Sequence, residues 1–319
     1  MIPFHKLADE NTELEVYDAL QRVANSGRYV LGPEVEAFER EWAEHCQAEA
    51  AAGVASGFDA LSLGLLAGGV SPGDEVIVPL KTFKATWMSV ERIGAIPVAV
   101  ATKGPLITPE AIGGARTART RAVVPVALYG LPLPLEAILE ASKGLFVLVD
   151  ACQAHGMETG AVPAAFSFYP TKNLGCMGDG GAVVGPDHIV QRVKAMRSYG
   201  APWNSRLDEL QAAVLRAKLP WLPTRTLGRV QRAARYRNSL RGVEVITDNG
   251  LYHHFVIKHQ RRDELQAHLA ERGIETGIHY DHIPGVLSLP ISWPCPVEEI
   301  AEAVNAFVRA PLRPLPQQP

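Results

Sequence analysis

Leu145-Phe-Val-Leu-Val-Asp150-Ala-Cys-Gln-Ala-His-Gly156 sets the fold class. Its first five residues are apolar without alternation, the pattern of a strand buried on both faces of a helix-covered sheet. Ala122–Leu128 reads the same way, and short apolar runs recur at Glu75–Val78, Ile96–Val100 and Gly181–Val184. Between them Asp59–Leu66, Thr86–Arg92, Pro109–Ile112 and Pro134–Ser142 carry helical patterns. Strands alternating with helices predict βαβ units, an α/β fold and a mostly parallel sheet. Asp150 then falls at the C-terminal end of a buried strand, where open α/β sheets bind ligands. Taken alone it reads equally as the N-cap of a helix.

Outward from that stretch, Leu14, Val16, Tyr17, Leu20 and Val23 share one face of a helix over 13–24, which Asn25-Ser26-Gly27 stops. Pro33 opens a second helix running from Glu34 to Cys46. The character changes near residue 220. A long Arg-rich helix over Thr226–Arg241, a β-like Tyr252–Lys258, an amphipathic helix Asp263–Arg272, the segment Thr276–Tyr280 and a helix Val297–Arg309 follow. The pattern predicts a large α/β domain over 1–220 and a small α+β domain over 221–319, ending in a frayed, proline-rich tail from Pro311.

Composition narrows the function. In 319 residues, 31 Lys+Arg against 34 Asp+Glu give a net charge of -3, which argues against a nucleic-acid binder. A hydrophobic content of 47% with 20% charged residues excludes disorder. No window of 18 residues is apolar throughout, and the first residues carry no signal-peptide core, so we expect no membrane association and a cytoplasmic location. Cys46, Cys152, Cys176 and Cys295 lie far apart without a CxxC pair, which suits a reducing compartment. His155, His279 and the pair His253-His254 lack metal-ligand spacing and read as structural or solvated, so no metal is expected.

The densest chemical signal is Ser167-Phe-Tyr-Pro-Thr-Lys172-Asn-Leu-Gly175, followed by Gly178-Asp-Gly-Gly181. A lone loop lysine is ordinarily solvated. Between a Pro-Thr pair and a glycine cluster, Lys172 is instead placed as an amine that forms Schiff bases with carbonyl compounds or pyridoxal phosphate. Such a cofactor needs a carboxylate at its ring nitrogen, and Asp150 lies some twenty residues upstream. In Val54-Ala-Ser56-Gly57-Phe58-Asp59-Ala60-Leu61 a small-residue turn opens a helix, a phosphate-binding arrangement that more often only caps. Phe83, just past a strand, reads as core or as a ring that stacks on a cofactor.

In their order these segments resemble the DegT/DnrJ/EryC1/StrS family of pyridoxal-phosphate-dependent sugar aminotransferases. The likeness spans nearly the whole chain: Gly32–Glu39, Ser56–Leu61, Pro72–Ile77, Asp150–Gly156, Ser167–Gly175, Asn204–Ala213 and Gly273–Tyr280. It implies a fold-type-I, aspartate-aminotransferase-like transferase. It also implies roles: Lys172 as the aldimine-forming lysine, Asp150 at the pyridine nitrogen and Gln153 near the ring hydroxyl. Ser167 with the Ser56-Gly57-Phe58 turn would cradle the phosphate, Phe83 would stack on the ring, and Asn204 would reach the phosphate from the second subunit of a homodimer.

The resemblance further implies an amino donor, L-glutamate, and a nucleotide-linked keto sugar as acceptor. Asn204–Gln211 and Thr86-Trp87 resemble members acting at C3 of dTDP-linked 3-keto-6-deoxyhexoses. The alternatives are a C4 sugar or keto-cyclitol aminotransferase, or a cofactor-binding regulatory or scaffold protein without turnover. Phe58 departs from the family, which usually has a small polar residue there. The chain is also shortened between Gly156 and Phe166, between Tyr199 and Asn204, around 242–251 and between Tyr280 and Leu287.

Overall fold

The computed structural model describes residues 1–7, 14–198, 203–280, 282–292 and 294–310. The expectations placed on Glu13, on the shortening at Tyr199, on residue 281 and on the tail from Pro311 lie outside the described residues. In chain order the elements are α1 (Leu14–Ser26), α2 (Pro33–His45), β1 (Ala50–Val54), α3 (Gly57–Ala67), β2 (Glu75–Pro79), α4 (Lys84–Arg92), β3 (Ile96–Val100), a hairpin of β4 (Thr102–Lys103) and β5 (Leu106–Ile107), α5 (Pro109–Ala115) and β6 (Thr120–Val123). There follow α6 (Leu135–Ala141), β7 (Phe146–Val147), β8 (Val149–Asp150), β9 (Ala164–Ser167), β10 (Gly181–Gly185), α7 (Asp187–Arg197), α8 (Glu209–Lys218) and α9 (Leu222–Ser239). The chain closes with β11 (Glu244–Val245), β12 (Phe255–Lys258), α10 (Arg262–Glu271), β13 (Val286–Leu289) and α11 (Val297–Arg309).

Strands β3-β2-β6-β7 pair in parallel, as do β8 and β9, whereas β10 runs antiparallel to both β9 and β1. The two groups are one sheet. Leu148 N–H donates to Val123 O at 3.1 Å, Asp150 N–H to Pro125 O at 2.9 Å and Ala127 N–H to Asp150 O at 3.0 Å, carrying the pairing across the break at Leu148. Helices cover both faces. Phe38, Trp42, Phe166 and Phe168 fill one side, while Leu61, Leu65, Val76, Val78 and Leu148 fill the other. α3 is apolar nearly all round because it is buried nearly all round.

A smaller antiparallel sheet, β11-β12-β13, packs with α9, α10 and α11 around Tyr236, Phe255, Leu265, Leu287 and Phe307. Ile2 bridges to Ile274, so the first residues of the chain lie against this smaller unit. Among the described residues no helix is long and apolar enough to cross a membrane.

Several expected elements differ in extent, three of them for a clear physical reason. The strand read over Ala122–Leu128 ends as a regular ladder at Val123, because Pro125 has no N–H to donate and the chain turns at Leu128–Gly130, where Tyr129 takes φ 62°. The β-like stretch from Tyr252 starts only at Phe255, since Tyr252 sits at φ 48°. The Arg-rich helix begins at Leu222 rather than Thr226, because Pro223 is tolerated in its first turn.

Candidate active site

Asp150 ends β8 in the middle of the large sheet and is 5% exposed. Its Oδ2 accepts the Thr86 hydroxyl at 2.8 Å, and its Oδ1 accepts Cys152 N–H at 3.1 Å. Thr86 lies 2.9 Å from the Thr82 hydroxyl. Phe83, the residue that leads into α4, and Thr86, in that helix's first turn, are therefore delivered together to the end of the sheet. Asp150 is held in a fixed plane with lone pairs to spare for another donor.

Lys172 stands in the loop between β9 and β10, its N–H bonded to Tyr169 O at 2.8 Å. Burial pushes its amine below the ordinary lysine range, opposed by the nearby Asp150 carboxylate. Cys152 itself is pushed up, first by burial and then by Asp150, so it stays a neutral thiol. The next residue, Asn173, ties the lysine to the smaller unit: its Nδ2 donates to Leu251 O at 3.1 Å and its Oδ1 lies 3.4 Å from His253 Nδ1.

The turn into α3 lies beside them. A Cβ on Gly57 would stand 2.6 Å from Ser167 Cβ and 3.0 Å from Cys152 Sγ, and one on Gly181 would collide with Ser56 O. Backbone thus crowds this corner where only glycine fits. Ser56 Oγ accepts Asp59 N–H at 3.1 Å, which leaves the Gly57 and Phe58 N–H groups as helix-terminal donors without a helical acceptor. Ser167 is half-buried, its Oγ accepting Tyr169 N–H at 3.4 Å. The Phe58 side chain turns to Arg92, whose guanidinium lies 4.9 Å from its ring and 4.3 Å from that of Trp203. Arg92 also pairs with Asp59 Oδ1 at 2.6 Å, and Ser205 Oγ donates to Asp59 Oδ2 at 2.5 Å. Position 58 therefore offers the turn only its backbone N–H as a polar group.

Gln153 links the large sheet to the smaller unit. Its Oε1 accepts Tyr129 N–H and its Nε2 donates to Tyr280 Oη. Tyr129 and Tyr280 both hold positive φ, and their rings lie 5.8 Å apart. Phe83 is half-exposed, with its ring 6.2 Å from Tyr280. Asn204 is exposed and precedes Ser205, whose Oγ accepts Ala55 N–H at 3.1 Å. Within one chain, then, Lys172, Asp150, Gln153, Ser167, Ser56, Gly57 and Phe83 converge, and Phe58 contributes backbone only. Sequence reading did not assign Thr82, Tyr129 or Tyr280 a site role, and used Thr86 only as a mark of resemblance. The Thr82–Thr86 spacing of four just past a strand end was the available signal.

Four histidines pile against this site. His254 stacks on His279 at 3.8 Å and lies 4.1 Å from His253, while Phe4 lies over His279 at 5.3 Å and beside His5 at 4.7 Å. Burial holds them neutral, with His5 and His279 pushed down to about 4; the Lys172 charge adds to the effect on each. His155 is pushed to about 3 by burial; it donates from Nε2 to Ser167 O at 2.7 Å. Among the described residues no set of side chains could hold a metal ion.

These groups fit pyridoxal phosphate: an amine below its usual range for the aldehyde, a buried carboxylate for a ring N–H, and two helix-terminal donors in a cradle that a Cβ would fill. Residues 10–291 match the DegT/DnrJ/EryC1/StrS aminotransferase family. The dTDP-3-amino-3,4,6-trideoxy-alpha-D-glucose transaminase of Streptomyces venezuelae is 42% identical, over 95% of this chain and 87% of that one. The crystal structure of S. venezuelae DesV in complex with a ketimine intermediate superposes with a TM-score of 0.91 at 39% identity, over 97% of this chain and 99% of that one. NtdA of Bacillus subtilis with bound cofactor PMP gives a TM-score of 0.90 at 26% identity, over 97% and 85%.

Proposed function

The chain belongs to the DegT/DnrJ/EryC1/StrS aminotransferase family, and from that premise we propose that it moves an amino group from L-glutamate to C3 of a dTDP-linked 3-keto-6-deoxyhexose, using pyridoxal phosphate. The observation that carries this reading is the meeting of Lys172, Asp150 and the Gly57 turn at one end of the sheet, in a chain so like a transaminase of dTDP-linked sugars.

Bound at this site, pyridoxal phosphate supplies an electron sink for the pair left when a C–H bond at the nitrogen-bearing carbon breaks. Lys172, shifted toward its neutral amine by burial, would take that proton at Nζ and return it to the carbon on the other side of the nitrogen. Asp150, its carboxylate fixed by Thr86, would keep a proton on the ring nitrogen. Gly57 and Phe58 N–H, with the Ser167 hydroxyl, would hold the phosphate. Gln153 would serve the ring hydroxyl and Phe83 the ring face. The protein works in the cytoplasm as a homodimer, with Asn204 of one subunit reaching the phosphate held by the other.

Two experiments test this. Purified protein is given glutamate and a panel of dTDP-linked 3-keto and 4-keto sugars and keto-cyclitols, and the product is assigned by NMR. Amination at C3 is expected; turnover restricted to a 4-keto sugar or a cyclitol refutes the acceptor. Mixing the inactive Lys172→Ala and Asn204→Ala variants should restore activity, because a mixed dimer contains one intact site. No recovery in demonstrated mixed dimers refutes the shared site.

A further inference from the structure

Lys218, the last residue of α8, is 2% exposed, and its ammonium donates to Gly175 O at 2.6 Å. A lysine so completely buried is uncommon, because its charge loses hydration that only close polar partners offset. This partner is informative. Gly175 closes the loop that carries Lys172, and a Cβ on it would collide with Pro170 O. The chain therefore doubles back between Pro170 and Gly175, with Lys172 on the excursion.

The return leg is fastened again just beyond. Cys176 N–H donates to Phe168 O at 2.9 Å, and Met177 N–H donates to Gln211 Oε1 at 2.8 Å. Gln211 and Lys218 are two helical turns apart, so one face of α8 grips the loop at two points. Of these two, only Lys218 brings a charge, and a charge-assisted bond is shorter and stronger than a neutral one.

We propose that Lys218 is a positioning residue for Lys172: its buried ammonium fixes the Gly175 carbonyl, and with it the place at which Lys172 Nζ meets the cofactor aldehyde. This rests on the reading of Lys172 as the Schiff-base lysine. Nothing in it requires Lys218 to touch the cofactor.

The test compares two probes on wild type and Lys218→Met. Pyridoxal phosphate can bond to Lys172, whereas pyridoxamine phosphate has no aldehyde and reports only the phosphate and ring contacts. In Lys218→Met the affinity for pyridoxal phosphate, and the borohydride-trapped adduct on Lys172 read by peptide mass mapping, should fall at least tenfold. Pyridoxamine phosphate affinity should stay within twofold of wild type. Equal losses with both probes would make Lys218 a structural residue only, and no change in either would remove it from the site; both overturn the proposal. If Lys218→Met does not fold, Lys218→Arg, a cation of different reach, is put to the same comparison with the same expected split. The wild-type trap is read first: an adduct absent from Lys172 there overturns the underlying reading, and the proposal with it.

Discussion

Thr86 and Asp150, 64 positions apart in the chain, are joined by a hydrogen bond of 2.8 Å from hydroxyl to Oδ2. A carboxylate only accepts, so the Thr86 proton goes to Asp150, and the Thr82 hydroxyl, 2.9 Å away, donates in turn to Thr86. The result is a short relay of donors ending on the buried Asp150 carboxylate, each bond polarising the next.

Thr86→Val keeps the shape and removes the donor. A hydrogen bond to a charged group contributes about 1.5–3 kcal/mol, so we expect kcat to fall roughly ten- to a hundredfold with little change in glutamate KM. Asp150→Asn should retain cofactor and lose several orders of magnitude in kcat, because a neutral amide cannot hold the ring charge. Single-turnover absorbance kinetics checks both; near-normal rates in Asp150→Asn would assign the ring proton to another group.

Tyr280→Phe should loosen the join between the two units. Gln153 Nε2 loses the Tyr280 oxygen it donates to, at a site where burial holds the tyrosine hydroxyl protonated. We expect a loss of about 1 kcal/mol, seen as a fall in cofactor-free melting temperature of about 2–4 °C. An unchanged melting curve would show that the contact carries no stability.

Phe58→Thr separates side-chain from backbone binding at the phosphate turn. The ring already packs beneath Arg92, and that contact is worth about 0.5–1 kcal/mol at a part-exposed site. The variant should therefore melt slightly earlier, with pyridoxal phosphate affinity within threefold of wild type by fluorescence titration. A tenfold tighter complex would instead show that the phenyl group occupies a place a hydroxyl should hold.

Acid should destabilise the fold through the buried histidines. His5 and His279 are pushed to about 4, and His155 to about 3, from an ordinary 6.5. Above about pH 6.5 they are neutral in both states and exert no pH effect. Between about 6.5 and 4 the unfolded chain binds protons that the folded one refuses, so stability falls as pH falls, and the loss levels off below the folded values. Urea midpoints at pH 7.5, 6 and 5 should decrease in that order, and His254→Leu should flatten the decline. Equal midpoints at pH 7.5 and 5 would show that the imidazoles titrate freely.

The part of the site carried by single elements was readable in the sequence. Asp150 follows an apolar run, and Lys172 sits among glycines, so local pattern located both. The strands β1 and β9 were not readable, because Ala50-Ala-Ala-Gly-Val54 and Ala164-Ala-Phe-Ser167 are built from weak strand formers. Crowding explains their small residues: a Cβ on Gly53 would stand 3.0 Å from Leu207 Cβ. α8 did carry a local sign, Asp208 capping Gln211 N–H at 2.8 Å, which sequence reading used only as a mark of resemblance. Tyr280, Tyr129 and the Thr82–Thr86 pair matter through contacts between distant segments, which periodicity does not encode. The apolar run Ala122–Leu128 did mislead, since the ladder ends at Val123 and the chain turns at Leu128–Gly130.

Among the described residues β1 finds its strand partner only in β10, Ala50 opposite Gly185 and Val54 opposite Gly181. The phosphate turn begins two residues after β1, yet nothing in the sheet can hold it until residues 181–185 have been made. During synthesis the ribosome must therefore deliver α3, the six parallel-paired segments β2, β3, β6, β7, β8 and β9 and the Lys172 loop before β1 has its strand partner. Nascent chains arrested short of β10 would carry both Asp150 and Lys172 and still lack the strand that pairs with β1, so capture of pyridoxal phosphate is expected only late in the life of this polypeptide.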